Sequence, residues 1–179
     1  MTEPASTSAL DPDALGPGSW STQLDDFRVT SGLSEIDVDM VHGFLSEESG
    51  WACGIPRTLL ERAMDNSLCF GGFVDRCQVA FARVVTDRAT FANLADVFVL
   101  PAYRRRGLAK VLLRVVLAHP DLQGLRRFTL ATGDAHGLYR RFGFETPLRP
   151  QSLMERYFPA IYLHPGIEPE GPVCAGPGT

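Results

Sequence analysis

The chain has 179 residues, of which 45% are hydrophobic and 21% are charged, and its net charge is −4. This balance is typical of one globular domain with a buried core, and it argues against general nucleic-acid binding. No apolar run is long enough to cross a membrane, and the start, MTEPAS, lacks the features of a secretory signal. We therefore expect a cytoplasmic protein with reduced thiols and no metal, since its four cysteines show no CxxC spacing.

The first third of the chain predicts a tail, a strand and two helices. Residues 1–24 are rich in Pro, Gly, Ser, Thr and Asp, so we expect a flexible tail. A short first strand is predicted over 27–30. Ser34 is a candidate cap for the first helix, and Pro56 favours the start of a second helix over 56–65.

The middle of the chain predicts strands and one long helix. Strands over 68–74 and 78–85 are expected to form a hairpin. A long apolar strand follows over 90–100, and apolar residues at helical spacing predict a helix over 107–118. A further strand over 125–131 should lie parallel to the long strand, because a helix connects the two.

The last part predicts a short helix and closing strands. Asp134 is a candidate cap for a helix over 135–142. Residues 144–163 are expected to supply antiparallel strands, and 164–179, rich in Gly and Pro, to form a second flexible tail.

A basic loop joins the long strand to the long helix. It contains the motif Arg104-x-x-Gly107-x-Ala109, preceded by Pro101, which ends the strand. Small residues let a ligand approach the backbone, and the first turn of a helix has unpaired N–H groups. These donors, the helix dipole and nearby arginines predict an anion site suited to a diphosphate.

Two motifs together resemble the GNAT N-acetyltransferase superfamily. The first is the Arg/Gln-x-x-Gly-x-Gly/Ala turn that Arg104, Gly107 and Ala109 fill, and the second is AHGLYRRFGFE over 135–145. The resemblance implies a GNAT domain over 25–163, of α/β class with a central mixed sheet and helices on both faces. It also implies that strands four and five splay apart, with the pantetheine arm of acetyl-CoA, the co-substrate, in the gap.

The resemblance implies which groups hold acetyl-CoA. Main-chain N–H groups of the loop would bind the pyrophosphate, so several side chains there matter less. The strand backbone at Phe98 and Val99 would pair with pantetheine amides, and one of its N–H groups is a candidate oxyanion donor. The loop residues concerned are Arg104, Arg105, Arg106, Gly107, Leu108 and Ala109. The alternative is a solvated basic turn.

Asp96 is the candidate base. It lies among apolar residues of the long strand, where a desolvated carboxylate is suited to accept the amine proton through water. The resemblance supports an acid on this strand, although family members do not all place it at one position. The alternative is a structural carboxylate paired with Arg83 or with backbone.

Tyr139 is the candidate acid and a further cofactor contact, because it matches the tyrosine that the family places near the thioester sulfur. A phenol in a dry site can protonate a thiolate; the alternative is plain packing. The family often has Asn seven residues earlier, where this chain has Thr132. Asp134 and His136 are candidates to replace that contact, and Trp51 is a candidate wall of the acceptor pocket.

These residues predict an acyltransferase that moves acetyl from acetyl-CoA to a primary amine of a small molecule by direct attack on the thioester. A catalytically silent acyl-CoA-binding module remains the alternative. Nucleic-acid binding through residues 104–106 would show steep salt dependence, but the acidic net charge argues against it. A homodimer stays open.

Overall fold

The computed structural model describes residues 21–24 and 26–163. Six strands form one sheet in chain order: β1 (Ser21–Leu24), β2 (Phe27–Thr30), β3 (Leu68–Val74), β4 (Cys77–Thr86), β5 (Phe91–Val99) and β6 (Arg127–Leu130). Neighbours from β1 to β5 are antiparallel, and β5 and β6 are parallel. The predicted mixed sheet is confirmed.

The N-terminal part differs from the prediction. Ser21–Leu24 pair with Phe27–Thr30 as a hairpin, so the tail predicted over 1–24 is wrong for residues 21–24, and residues 1–20 lie outside the described residues. The first α-helix, α1 (Val38–Gly43), is capped by Asp37, whose carboxylate accepts the Met40 N–H at 3.0 Å. Ser34 instead lies in a single 3₁₀ turn.

Helices cover both faces of the sheet, as predicted. On one face, α3 (Leu108–Ala118) and the short α4 (His136–Arg140) pack on the first core, which includes Leu112 and Val116. On the other face, α1, a π-helical turn (Phe44–Glu48) and α2 (Arg57–Asp65) form a second core. The sheet therefore separates the two groups of helices.

Strands β5 and β6 are the predicted fourth and fifth strands, since the N-terminal hairpin adds one strand to the count. Their parallel pairing runs from Phe91↔Arg127 to Leu94↔Leu130. Strand β5 continues to Val99 while β6 ends at Leu130, so residues 95–99 have no strand partner on that side among the described residues. The two strands thus open a gap beyond Leu94.

The closing strands predicted over 144–163 are wrong. Among the described residues this region has one 3₁₀ turn, Pro150–Ser152, and no strand. Every residue from 145 to 161 is exposed. Just before the described part of the chain stops at residue 163, Tyr162 packs against the second core. Strand β6 is therefore an edge of the described sheet.

Gly72 on β3 lies directly under a buried ring. A Cβ atom at this position would lie 2.5 Å from Cζ of Phe27 and 3.0 Å from Cβ of Ala80, and Phe27 is fully buried. We expect Gly72→Ala to lower the free energy of unfolding by about 1–3 kcal/mol through overpacking. Urea unfolding tests this, with Gly133→Ala as control because its Cβ meets nothing within 4 Å. Equal stabilities of the two variants would contradict the packing.

His119, after α3, predicts a pH dependence of stability. The ring is buried edge-on to Phe70, and its Nδ1 accepts the Asp121 N–H at 3.2 Å. Burial lowers the pKa of His119; the Asp121 charge opposes this effect and the Arg88 charge adds to it. As pH falls through the ordinary histidine pKa of about 6.5, the unfolded chain takes up the proton first, and stability is lost.

Urea unfolding at pH 7.5 and 5.5 measures this loss. We expect His119→Gln to reduce the difference between the two pH values, with His136→Gln, an exposed histidine, as the matched control. An unchanged difference in His119→Gln would show that other groups cause the effect.

Candidate active site

The loop between β5 and α3 has the shape of an anion site. Gly107 adopts φ +84°, a left-handed conformation that glycine accepts without strain, and an added Cβ there would meet no atom within 4 Å. Helix α3, 11 residues long, starts immediately after it. Among the described residues, the N–H groups of residues 105–109 donate to no backbone acceptor. The loop therefore presents a row of free donors at a helix start.

The arginines of the loop do not all face this site. Arg104 Nε donates to the main-chain oxygen of Val99 at 2.9 Å, which fixes the loop to β5. Arg106 pairs with Asp26 at 2.9 Å, and its guanidinium lies 5.8 Å from the centre of the Tyr103 ring. Of the three loop arginines, only the exposed Arg105 has a side chain without a hydrogen-bond or ion-pair partner among the described residues. An anion at this loop would therefore meet main-chain donors more than guanidinium groups.

The backbone of β5 faces the gap at Val99. Phe98 pairs with Phe81, and Leu100 N donates to Val79 O at 2.8 Å, so the main-chain groups of Phe98 and Leu100 point to β4. Val99 then points the other way, which the bond from Arg104 to its oxygen supports. Of the two predicted strand positions, Val99 therefore offers its N–H to the gap, while Phe98 supplies a ring to the second core.

Asp96 lies where β5 leaves β6, and it joins three elements. One carboxylate oxygen accepts Arg83 Nε at 2.7 Å, and the other accepts Trp51 Nε1 at 3.2 Å. Arg83 also donates to Ser67 Oγ at 3.2 Å. The Asp96 side chain is 11% exposed. The ion pair with Arg83, the structural alternative for this residue, is therefore present.

The backbone at Asp96 is unusual for a strand. Its φ is +52°, and the register between β4 and β5 shifts between Phe81 and Arg83. A left-handed non-glycine residue is strained, and such strain concentrates at functional sites. This β-bulge turns the Asp96 carboxylate toward Arg83 and Trp51 at the start of the gap.

An aromatic row forms the wall beside Asp96. The Phe44 ring stacks on Phe98 at 3.9 Å between centres, and Trp51 lies tilted at 6.4 Å from Phe44. Trp51 is 52% exposed, so one side of the indole faces solvent next to the carboxylate. The sequence analysis identified Trp51 as a candidate wall of the acceptor pocket. Its hydrogen bond to Asp96 could not be predicted, because 45 positions separate the two residues.

Tyr139 belongs to the first core, together with Val99 at the end of β5 and Leu108 at the start of α3. It is 9% exposed, and its ring contacts Phe144 edge-on at 6.0 Å. Burial raises the pKa of the Tyr139 phenol, and the Asp134 charge adds to the shift. The hydroxyl therefore stays protonated at neutral pH and is able to donate.

The turn before α4 differs from the prediction. Thr132 Oγ1 accepts the Ala135 N–H at 3.1 Å, and the position before the helix is Ala135, so Asp134 is not the cap. Asp134 and His136 are both exposed. Thr132, at the position where the family often has Asn, thus has a structural role in this turn.

The comparisons with known proteins agree on one family. The family model for the GNAT acetyltransferase domain matches residues 54–146. A candidate acetyltransferase from Gibberella zeae is 29% identical over 145 residues, 69% of this chain and 80% of that protein. The crystal structure of a candidate GNAT acetyltransferase from Xanthomonas campestris pv. campestris is 61% identical, covers 76% of this chain and 96% of that one, and has a TM-score of 0.75.

A more distant structure shares the fold. A GNAT acetyltransferase from Elizabethkingia anophelis, solved with acetyl-CoA bound, is 11% identical with a TM-score of 0.54, over 75% of this chain and 90% of that one. The sheet with its splayed parallel strands and the loop before α3 define an acyltransferase fold of this kind. The chain belongs to the GNAT acetyltransferase family. Among its described residues, no helix is long and apolar enough to span a membrane.

Proposed function

We propose that this protein transfers the acetyl group of acetyl-CoA to a primary amine of a small molecule. The observation that carries the proposal is the gap between β5 and β6, with free main-chain donors at residues 105–109 at its mouth and Val99 on its wall. A diphosphate fits the donors, and an extended arm with amide groups fits the unpaired edge of β5. The Elizabethkingia neighbour, whose structure contains acetyl-CoA, supports the same choice of co-substrate.

The thioester supplies the activated acyl group, and the chain supplies the surroundings of the reacting atoms. Tyr139 and Asp96 belong to opposite sides of the sheet, since Tyr139 lies in the first core and Asp96 bonds to Trp51 near the second. We place the departing sulfur on the Tyr139 side and the amine on the Asp96 side. Tyr139 then donates a proton to the thiolate, and Val99 N–H is the candidate donor to the oxyanion.

Asp96 is the proposed proton acceptor, acting through a water molecule. Each carboxylate oxygen has a second lone pair beyond the bonds to Arg83 and Trp51, so a further hydrogen bond is possible. The limited exposure of the side chain, 11%, restricts what can reach it. This narrow approach favours a small amine, or a slender side chain, over a broad macromolecular surface.

The test is a screen of small amines with acetyl-CoA, read by mass spectrometry of the acetylated products. Mass detection is preferable to thiol reagents, because Cys53 and Cys77 are exposed free thiols and would react with them. Acetylation of a subset of amines, dependent on the protein, is the expected result. Binding of acetyl-CoA without any product across the screen would favour a silent binding module, and no binding would reject both functions.

Asp96→Asn tests the proposed proton acceptor. We expect kcat to fall by about 100-fold, and the decline of the rate toward low pH to disappear, because no carboxylate remains to be protonated. Arg83→Gln is the matched control, since it breaks the same ion pair, 2.7 Å long, but keeps the carboxylate. An unchanged pH–rate profile in Asp96→Asn, with equal losses of stability in the two variants, would leave Asp96 with a structural role only.

A further inference from the structure

Trp51 presents an exposed ring whose orientation is fixed. Its side chain is 52% exposed among the described residues. One edge of the indole is held because its Nε1–H donates to Asp96 at 3.2 Å, and the ring lies tilted at 6.4 Å between centres from Phe44. Tryptophan supplies a large apolar area at little cost in conformational entropy. The side of the indole that faces solvent is therefore a ready surface for a ligand.

The turn that carries Trp51 is rigid. The hydroxyl of Ser49, a buried residue, donates to Leu45 O at 2.6 Å and accepts the Ala52 N–H at 3.1 Å. These two bonds tie the residues on both sides of Trp51 to the π-helical turn. The indole is thus in place before a ligand arrives, so little conformational entropy is lost when the ligand binds.

The charge around Trp51 suits a cation and disfavours an anion. Asp96 and Arg83 form an ion pair whose side chains are 11% and 16% exposed, so the pair adds no net charge. The turn itself carries two charged residues, Glu47 and Glu48, and both are exposed. A ligand with its own carboxylate or phosphate would meet repulsion at this turn, whereas an ammonium group would meet attraction.

The Asp96 carboxylate and the indole are positioned to act on one ligand. An amine that approaches Asp96 through the water molecule proposed above lies next to Trp51, because the indole N–H bonds the same carboxylate. The group attached to the nitrogen then extends over the exposed side of the indole. Aromatic rings pair favourably at about 4.5–7 Å between centres, and cations are attracted to an indole within about 6 Å. A flat ring close to the amine therefore gains contacts that a puckered ring of equal size does not.

We propose that Trp51 determines which amine is accepted, and that the acceptor is a primary amine with an aromatic ring a short carbon chain away and no acidic group. The inference rests on the proposed acetyl transfer and specifies its amine side. In this arrangement the indole of Trp51 contacts the ring of the amine, and Asp96 accepts the amine proton through water. The acidic turn disfavours amino acids, because their carboxylate lies next to the amine.

Calorimetric titration of amines into the protein saturated with coenzyme A tests the choice of ligand. Coenzyme A lacks the acetyl group, so the amine binds without reacting. We expect phenethylamine to bind about 10-fold more tightly than cyclohexylethylamine, whose ring is puckered but of similar size. Phenylalanine should bind about 10-fold more weakly than phenylalaninamide, which lacks the carboxylate, at a pH low enough to keep both amines protonated. Equal affinities within either pair would overturn the proposal.

Two variants separate contact with the ligand from support of Asp96. Trp51→Leu removes both the ring and the N–H, whereas Trp51→Phe removes the N–H and keeps a ring. We expect the difference in affinity between phenethylamine and cyclohexylethylamine to vanish in Trp51→Leu and to remain in Trp51→Phe. Both variants should fold, as circular dichroism will check, because the side chain is half exposed. An equal loss of affinity for both amines in Trp51→Leu would mean that Trp51 only supports Asp96, and would overturn the proposal.

Rates with acetyl-CoA keep this inference separate from the acetyl transfer itself. Faster acetylation of phenethylamine than of cyclohexylethylamine, with the difference lost in Trp51→Leu, would support both proposals. Equal acetylation of the two amines would overturn the choice of acceptor and leave acetyl transfer intact. Selective binding of phenethylamine without any acetylated product would support the amine site and reject acetyl transfer.

Discussion

Gly107→Glu is expected to abolish the binding of coenzyme A. Gly107 adopts φ +84° between Arg106 and the first turn of α3, so any other residue is strained there. The new carboxylate would also extend into the place proposed for the diphosphate. Each charge-assisted hydrogen bond lost costs about 1.5–3 kcal/mol, or about 10- to 150-fold in affinity, and several donors of residues 105–109 would be lost together.

Gly124→Glu is the matched control for this variant. Gly124 has φ +70°, and an added Cβ there also meets nothing within 4 Å. The two substitutions therefore introduce the same side chain and similar backbone strain, but only one lies at the loop before α3. Calorimetric titration with coenzyme A should give no binding for Gly107→Glu and native affinity for Gly124→Glu. Undiminished binding by Gly107→Glu would refute the diphosphate assignment.

Tyr139→Phe is expected to lower kcat by about 100-fold while the affinity for coenzyme A changes little. General-acid groups contribute factors of this order. The phenyl ring of the variant keeps the edge contact with Phe144, 6.0 Å between centres, so packing is preserved. Because burial raises the pKa of Tyr139, the native hydroxyl carries its proton throughout the neutral range. The variant lacks that proton at every pH.

Tyr157→Phe provides the comparison for Tyr139→Phe. Tyr157 is 67% exposed, so Tyr157→Phe removes the same hydroxyl group at a position outside the candidate active site. Steady-state rates with an accepted amine, together with calorimetric affinities, separate turnover from binding. Native turnover in Tyr139→Phe would show that Tyr139 has only a packing role. An equal loss of kcat in both variants would point to an effect unrelated to protonation of the thiolate.

Local patterns predicted the strand, loop and helix around the proposed cofactor site well. The apolar strand, the proline, the glycine and the helical stripe are adjacent in sequence, and the structure arranges them as β5, the loop and α3. The parallel pairing of β5 and β6 also followed, because a helical connection leaves few other arrangements. The sequence pattern did not predict where the side chains point. The Arg104 side chain turns back to bond the main-chain oxygen of Val99 instead of lying beside the N–H groups of residues 105–109.

The contact between Trp51 and Asp96 could not be predicted from the sequence. The bond between Trp51 and Asp96 joins residues 45 positions apart, and no periodicity encodes it. Residues 144–163 contain strand-forming side chains, which suggested closing strands, but a strand needs a partner edge that composition cannot supply. The polar stretch Ser21–Leu24 forms a strand for the opposite reason, since β2 offers it an edge.

Titration of the native protein with coenzyme A and with pantetheine, followed by calorimetry, tests the central claim most directly. If main-chain amides of residues 105–109 hold the diphosphate while the arm lies between β5 and β6, coenzyme A binds saturably and pantetheine, which lacks the diphosphate, binds far more weakly. A folded protein that gives no heat with coenzyme A, or that binds both compounds equally, would contradict the account.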